Sequence, residues 1–205
     1  MSAWELFFSG GPLMWPILFC SVTAFAIIII KFRQLRSMRR ANERLLSAVS
    51  DNIKHNRIKE ALEICEASSA PAASILKAGI LKFDRNRQEV KETMENAARY
   101  EIPRLESCLP LLSAIFQLAP LLGMLGTVAG MIYCFHAVHL RAVALEPFYP
   151  AELYAGIWQA LVCTAAGIGT AVPAFLAYNY FVSAVNGQVL EMEKAADNLV
   201  ELLFG

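Results

Sequence analysis

The run LPLLSAIFQLAPLLGMLGTVAGMIYCFHAV, Leu109 to Val138, contains no Asp, Glu, Lys or Arg. At about 1.5 Å per residue it exceeds the roughly 30 Å hydrocarbon layer of a bilayer, so it predicts a membrane-crossing helix that tilts or protrudes. Two further stretches share the property. Pro12 to Ile30 is an uncharged run of bilayer length, and another extends from about Tyr154 to Val182. With 57% hydrophobic residues among 205, the chain is more apolar than a soluble domain, in which apolar residues make up roughly half. The expected fold is all-α: a polytopic membrane protein with three transmembrane helices and helical cytoplasmic extensions, organised as one integrated unit over residues 1–205.

Charge sets the predicted topology. The 18 basic and 18 acidic residues cancel, yet 16 of the Lys and Arg lie between Lys31 and Arg104, leaving only Arg141 and Lys194 outside. A cleaved signal peptide has a basic stretch before its apolar core, whereas Met1 to Gly11 carries only Glu5 and the basic residues follow the run. The positive-inside rule then places the N-terminus outside and the basic block in the cytoplasm. This divides the chain into a first span (12–30), a cytoplasmic helical region (31–108), a second span (109–138), a weakly acidic periplasmic loop holding Arg141, Glu146 and Glu152 (139–153), a third span (154–183) and a cytoplasmic C-terminal helix (184–205).

Within the charged block, Asp51 is expected to cap a helix over Ile53 to Ala67 and Pro71 to open another near Ile75 to Phe83, while Val90, Met94 and Ala97 recur at helical spacing. Val185, Val189, Met192, Ala196, Leu199 and Leu203 recur every three or four residues, predicting a narrow apolar seam that continues the third span and packs on the cytoplasmic helices or on a second copy. The basic residues alternate with acids and lack an interleaved stacking platform, which argues against nucleic acid. Cys20, Cys65, Cys108, Cys134 and Cys163 form no CxxC pair. There is no nucleophile-base-acid set, phosphate loop or metal-spaced ligand cluster, so no enzyme, cofactor or metal is implied.

The polar residues inside the spans are few: Ser113, Gln117 and Thr127 in the second, Gln159, Thr164, Thr170 and Asn179 in the third. Hydrocarbon penalises unsatisfied polar groups, so each faces a helix partner or a hydrated path, or bonds its own backbone. Counted from the outer ends of their antiparallel helices, Thr127 and Thr164 both fall roughly 15 Å deep, with Pro120 and Pro173 as a second matched level. Thr127 shares a face with Pro120, Gly123, Met124, Gly130 and Met131, and Thr164 with Ile157, Ala160, Ile168 and Ala171. Gly123, Gly126 and Gly130 permit close helix approach, and Gly126 with Gly130 forms a GxxxG motif, so tight packing competes with an ion path as the reading of this stripe. Gln159, about 140° around the helix from Thr164, is expected to point between helices. His136 and His139 read as an interfacial pair with no assigned task.

The segments LAPLLGMLGTVAGMI, Leu118 to Ile132, and AGIWQALVCTAAGIGTAVPAFLAYN, Ala155 to Asn179, resemble the MotA/TolQ/ExbB proton-channel family. The single outward-starting first helix, long cytoplasmic block and trailing helix resemble its ExbB/TolQ-like branch along nearly the whole chain. The resemblance implies a bacterial inner-membrane protein, a pentamer of this subunit enclosing the spans of an ExbD/TolR-like single-span partner. That partner's aspartate carries protons along a path lined by channel threonines, matched here by Thr127 in LGTVAG and Thr164 in ALVCTAAG. The family commonly has a glutamate where this chain has Gln159, so any carboxylate in the path is expected to come from the partner. A flagellar-type stator, whose branch generally has a fourth span, a gliding stator and a non-conducting membrane scaffold are the alternatives.

Overall fold

The computed structural model describes residues 7, 10–55, 57–144 and 150–204, the first three residues of the last segment by backbone alone. Most of Met1 to Gly11, and Glu146 and Glu152 in the expected periplasmic loop, lie outside the described backbone or side chains. The elements are Met14–Lys54 (α1), Ile58–Ala67 (α2), Pro71–Ile80 (α3), Arg87–Glu106 (α4), Leu109–Ala144 (α5) and Pro150–Phe204 (α6). No strand occurs among the described residues. Three stretches, within α1, α5 and α6, are long and apolar enough to cross a membrane.

α1 runs 41 residues because nothing interrupts it: it holds no glycine, and its one proline, Pro16, sits in the first turn, where a missing N–H breaks no helical bond. It therefore passes through Asp51, which corrects the expectation that Asp51 caps a following helix. Asp51 instead accepts from the His55 amide at 3.3 Å, and the next helix starts after Arg57. α5 continues past Val138 to Ala144. α6 carries Pro173 in its interior, as membrane helices tolerate.

Contacts fall into two compact units, Met1–Ile29 with Pro110–Asn179, and Ile30–Leu109 with Tyr180–Gly205. The first holds the three apolar spans. Met14 and Ile17 of α1 pack with Cys163 of α6, together with the half-buried Leu13, Leu122, Val162 and Ala166. Large apolar side chains such as Trp15, Phe19, Val22, Leu121, Ile132, Leu161 and Leu176 lie exposed on its surface, as a lipid-facing shell requires.

The second unit is a charged helical bundle built around α3, of which seven residues are buried. Pro71 at the start of α3 supplies a preset φ. Asn86 caps α4, its Oδ1 accepting from the Glu89 amide at 2.7 Å, and Val90, Met94 and Leu105 form the buried face. The distal part of α6 buries Val185, Met192 and Leu199, while Val189, Ala196 and Leu203 are half-buried, so the apolar seam faces inward. Gly79 makes room for this packing: a Cβ there would stand 2.5 Å from Met94 Sδ and 3.2 Å from Leu199 Cδ2.

Three polar side chains are buried in this unit, and each bonds the backbone of another helix or its end. Lys31 Nζ donates to the Leu105 carbonyl at 2.9 Å and to Ser107 Oγ at 3.3 Å, satisfying the C-terminus of α4. Burial lowers the Lys31 pKa from its ordinary value, and the nearby Cys108 thiol opposes that shift. Asn42 Oδ1 accepts from the Ala72 amide at 3.3 Å, serving an N-terminal N–H of α3, and Gln188 Nε2 donates to the Leu35 carbonyl at 3.2 Å.

Candidate functional site

α5 and α6 approach through small residues. A Cβ on Gly126 would overlap Cys163, one on Gly123 would lie 3.1 Å from Thr164 Cα, and one on Gly130 would lie 3.1 Å from Ala160 Cβ. From the other side, a Cβ on Gly167 would stand 2.6 Å from the Ala119 carbonyl oxygen. With no Cβ on these glycines the two backbones touch, which is the use of small residues in membrane interfaces.

This seam sets a register different from that obtained by counting inward from the helix ends. Gly123 meets Thr164, Gly126 meets Cys163 and Gly130 meets Ala160, so the level of Thr127 lies near Val162 and the two threonines are offset by about 3 Å, less than one helical turn. Pro120 falls beside Gly167, with Pro173 about 9 Å further along the axis, so the prolines do not form a matched level. The count from uncharged run ends places the threonines to within a turn but not the prolines, because those ends mark solvent exposure, whereas glycine contacts decide how the helices slide.

The hydroxyls differ in what they do. Thr164 Oγ1 donates to the Gly123 carbonyl at 3.0 Å across the helix pair. Among the described hydrogen bonds, it is the intramembrane side chain in α5 and α6 whose oxygen or nitrogen bond crosses from one span to the other. Thr127 Oγ1 donates to its own helix at Met124 O, 2.6 Å away, as Asn179 Nδ2 does to Phe175 O and Gln117 Nε2 to Ser113 O. Each keeps hydroxyl or amide capacity for another partner.

Thr127 is the polar member of a shallow groove of about 660 Å³. Val128, Met131, Ile132 and Phe135 of α5 line one wall, and Ile157, Ala160 and Leu161 of α6 the other. Thr164 lies behind this groove, on the helix seam. Ala160 belongs both to the groove and to the seam, where it meets Gly130. Gln159 turns away, its amide against Gly11, whose φ of +76° and missing Cβ accommodate it; a Cβ on Gly11 would overlap Gln159 Nε2. Thr127 and Thr164 were recognisable from their depth, but the Gly11 contact had no local signal, since it joins residues far apart in the chain.

A bundle of three apolar helices with satisfied backbone and a charged helical unit defines a polytopic α-helical membrane protein. The profile of the MotA/TolQ/ExbB proton channel family matches residues 67–194. An ExbB homolog from Methanothermobacter thermautotrophicus, named for biopolymer transport, is 28% identical over 190 residues, 92% of this chain and 66% of its own length. The Tol-Pal system protein TolQ of Pseudomonas aeruginosa is 27% identical over 179 residues, 82% of this chain and 76% of TolQ. The biopolymer transport protein exbB1 of Vibrio cholerae serotype O1 is 30% identical over 171 residues, 80% of this chain and 72% of the relative. The chain thus spans about two thirds to three quarters of these relatives. It belongs to the MotA/TolQ/ExbB proton channel family, in the ExbB/TolQ-like branch.

Proposed function

We propose that this chain is the ion-channel subunit of a bacterial inner-membrane motor that couples proton flow to mechanical work. The reading includes an N-terminus in the periplasm, a C-terminus in the cytoplasm, and a pentamer of the chain around an ExbD/TolR-like single-span partner whose aspartate carries the proton. The carrying observation is Thr127: a half-buried hydroxyl and, among the described residues, the one polar side chain lining an otherwise apolar groove, on a unit that exposes large apolar side chains. In such surroundings a hydroxyl beside a carboxylate or its water lowers the barrier to proton exchange, because little else nearby can solvate charge.

Thr164 has a second role in this reading. Its proton is committed to Gly123 O, so it holds the seam that positions Thr127 and offers only lone pairs to a path. Gly123, Gly126, Gly130 and Ala160 serve the helix seam, Gln159 the contact with Gly11, and Pro120 and Pro173 the shape of their helices. No carboxylate, lysine or arginine lies inside any apolar span, so the titrating group is assigned to the partner.

The test is proton uptake by vesicles containing the chain with its co-purified partner. Thr127→Val keeps the volume, removes the hydroxyl and breaks only a bond within one helix. Assembly is expected to persist while flux falls at least about fivefold, the equivalent of one hydrogen bond of ~1 kcal/mol. Undiminished uptake would defeat the ion-path reading, and no uptake by the wild-type complex would favour a scaffold.

A further inference from the structure

Arg33, Arg36, Arg40 and Arg44 follow the first span at intervals of three, four and four residues, which sets them within about 80° of arc on one face of α1. All four are exposed. None is within ion-pair distance of an acid among the described residues, whereas the adjacent Arg39 pairs with Glu43 at 3.1 Å. Lys31 is not part of the set, because its buried ammonium is taken up by Leu105 and Ser107. Among the described residues, no carboxylate lines the recess that the four arginines form with Phe32, Ser37 and Ala41. Like charges four residues apart repel, so this face lacks the counter-charge that the neighbouring face has.

The position of the stripe identifies what supplies that charge. Arg33 stands three residues beyond Ile30 and Arg36 six, or about 5 and 9 Å past the end of the uncharged run, the depth at which a bilayer carries its headgroups. Arg40 lies near 15 Å, and Arg44 acts through a field that decays over about 8 Å. Ile30 and Phe32 flank Arg33 and are 60% and 47% exposed, which leaves apolar surface beside the cations. A guanidinium fork matches phosphate geometry and gives bidentate, charge-assisted bonds. We propose that Arg33, Arg36, Arg40 and Arg44 form a docking stripe for anionic phospholipid, with phosphate on the guanidinium groups and acyl chain along Ile30 and Phe32. The stripe is independent of the ion path and lies on a different helix.

Native mass spectrometry of the purified full chain, titrated with phosphatidylglycerol or with phosphatidylcholine of the same acyl chains, tests the assignment. Wild type is expected to prefer the anionic lipid. Arg36→Gln should weaken that lipid about fivefold, the equivalent of ~1 kcal/mol for one charge near the surface. Arg33→Gln/Arg36→Gln/Arg40→Gln should abolish the preference, and replacement of the same three by Lys should keep part of it. Arg39→Gln, which removes a charge already paired, should leave it unchanged. Exposed Gln is a good helix former, so the circular dichroism of the variants should match wild type. Equal wild-type affinity for both lipids would overturn the proposal, as would a triple Gln variant that keeps the preference. A triple variant that changes oligomeric mass while lipid selection persists would assign the face to a second copy and overturn it too.

Discussion

Replacing Gly167 with alanine puts a methyl against backbone that has no room to yield. Its Cβ would meet the Ala119 carbonyl oxygen at 2.6 Å, Gly123 Cα at 3.1 Å and Gly123 N at 3.3 Å, all main-chain atoms of the facing helix. Ordinary contact begins at 3.4 Å, so α5 and α6 must part locally by about 0.8 Å, which forfeits roughly a quarter to a half of each dispersion contact there. The same movement stretches the Thr164 to Gly123 bond from 3.0 Å to about 3.8 Å, outside hydrogen-bonding range. Overpacking costs about 1–3 kcal/mol and an interhelical membrane hydrogen bond about 0.6 kcal/mol, so Gly167→Ala should lose ~2–3 kcal/mol. Gly169 is the control: nothing lies within 4 Å of its Cβ, so Gly169→Ala should be neutral or mildly stabilising, since alanine is the better helix former. Steric trapping of the full chain in bicelles measures both. Thr164→Val should cost ~0.6 kcal/mol alone and less than that in the Gly167→Ala background, because the bond is already broken. Equal stability of the two alanine variants, or strict additivity of Gly167→Ala with Thr164→Val, would refute the seam.

In the charged unit, Asn86→Ala removes the cap that accepts from Glu89 N and should cost about 1 kcal/mol of thermal stability, while Asn86→Asp should retain it; calorimetry of the pair decides. Cysteine labelling reads burial directly. Desolvation pushes the Cys65 thiol up to about 11, so its reactive thiolate appears only as pH rises toward that value. At pH 8 a maleimide should modify the exposed Cys108 and spare Cys65 until the chain is unfolded, and prompt modification of Cys65 in the folded protein would contradict its packing.

What the sequence determined by itself was the class of element and its solvent. Leu109 to Val138 must be a membrane helix because hydrocarbon rejects charge and leaves backbone groups no partner but their own helix. The apolar seam from Val185 to Leu203 was legible for a similar reason: helical periodicity is a property of one segment. Thr127 and Thr164 stood out as hydroxyls at depth, yet their division of labour did not. Only the tertiary structure put Thr164 on the Gly123 carbonyl, Thr127 in the open groove and Gln159 against Gly11, because register depends on where two backbones come close enough to touch. Burial of Lys31 was equally illegible, since its cost is met by a carbonyl and a hydroxyl more than 70 residues away in the chain. Local pattern specifies which face of a helix is apolar; what that face meets is settled when all the helices are present at once.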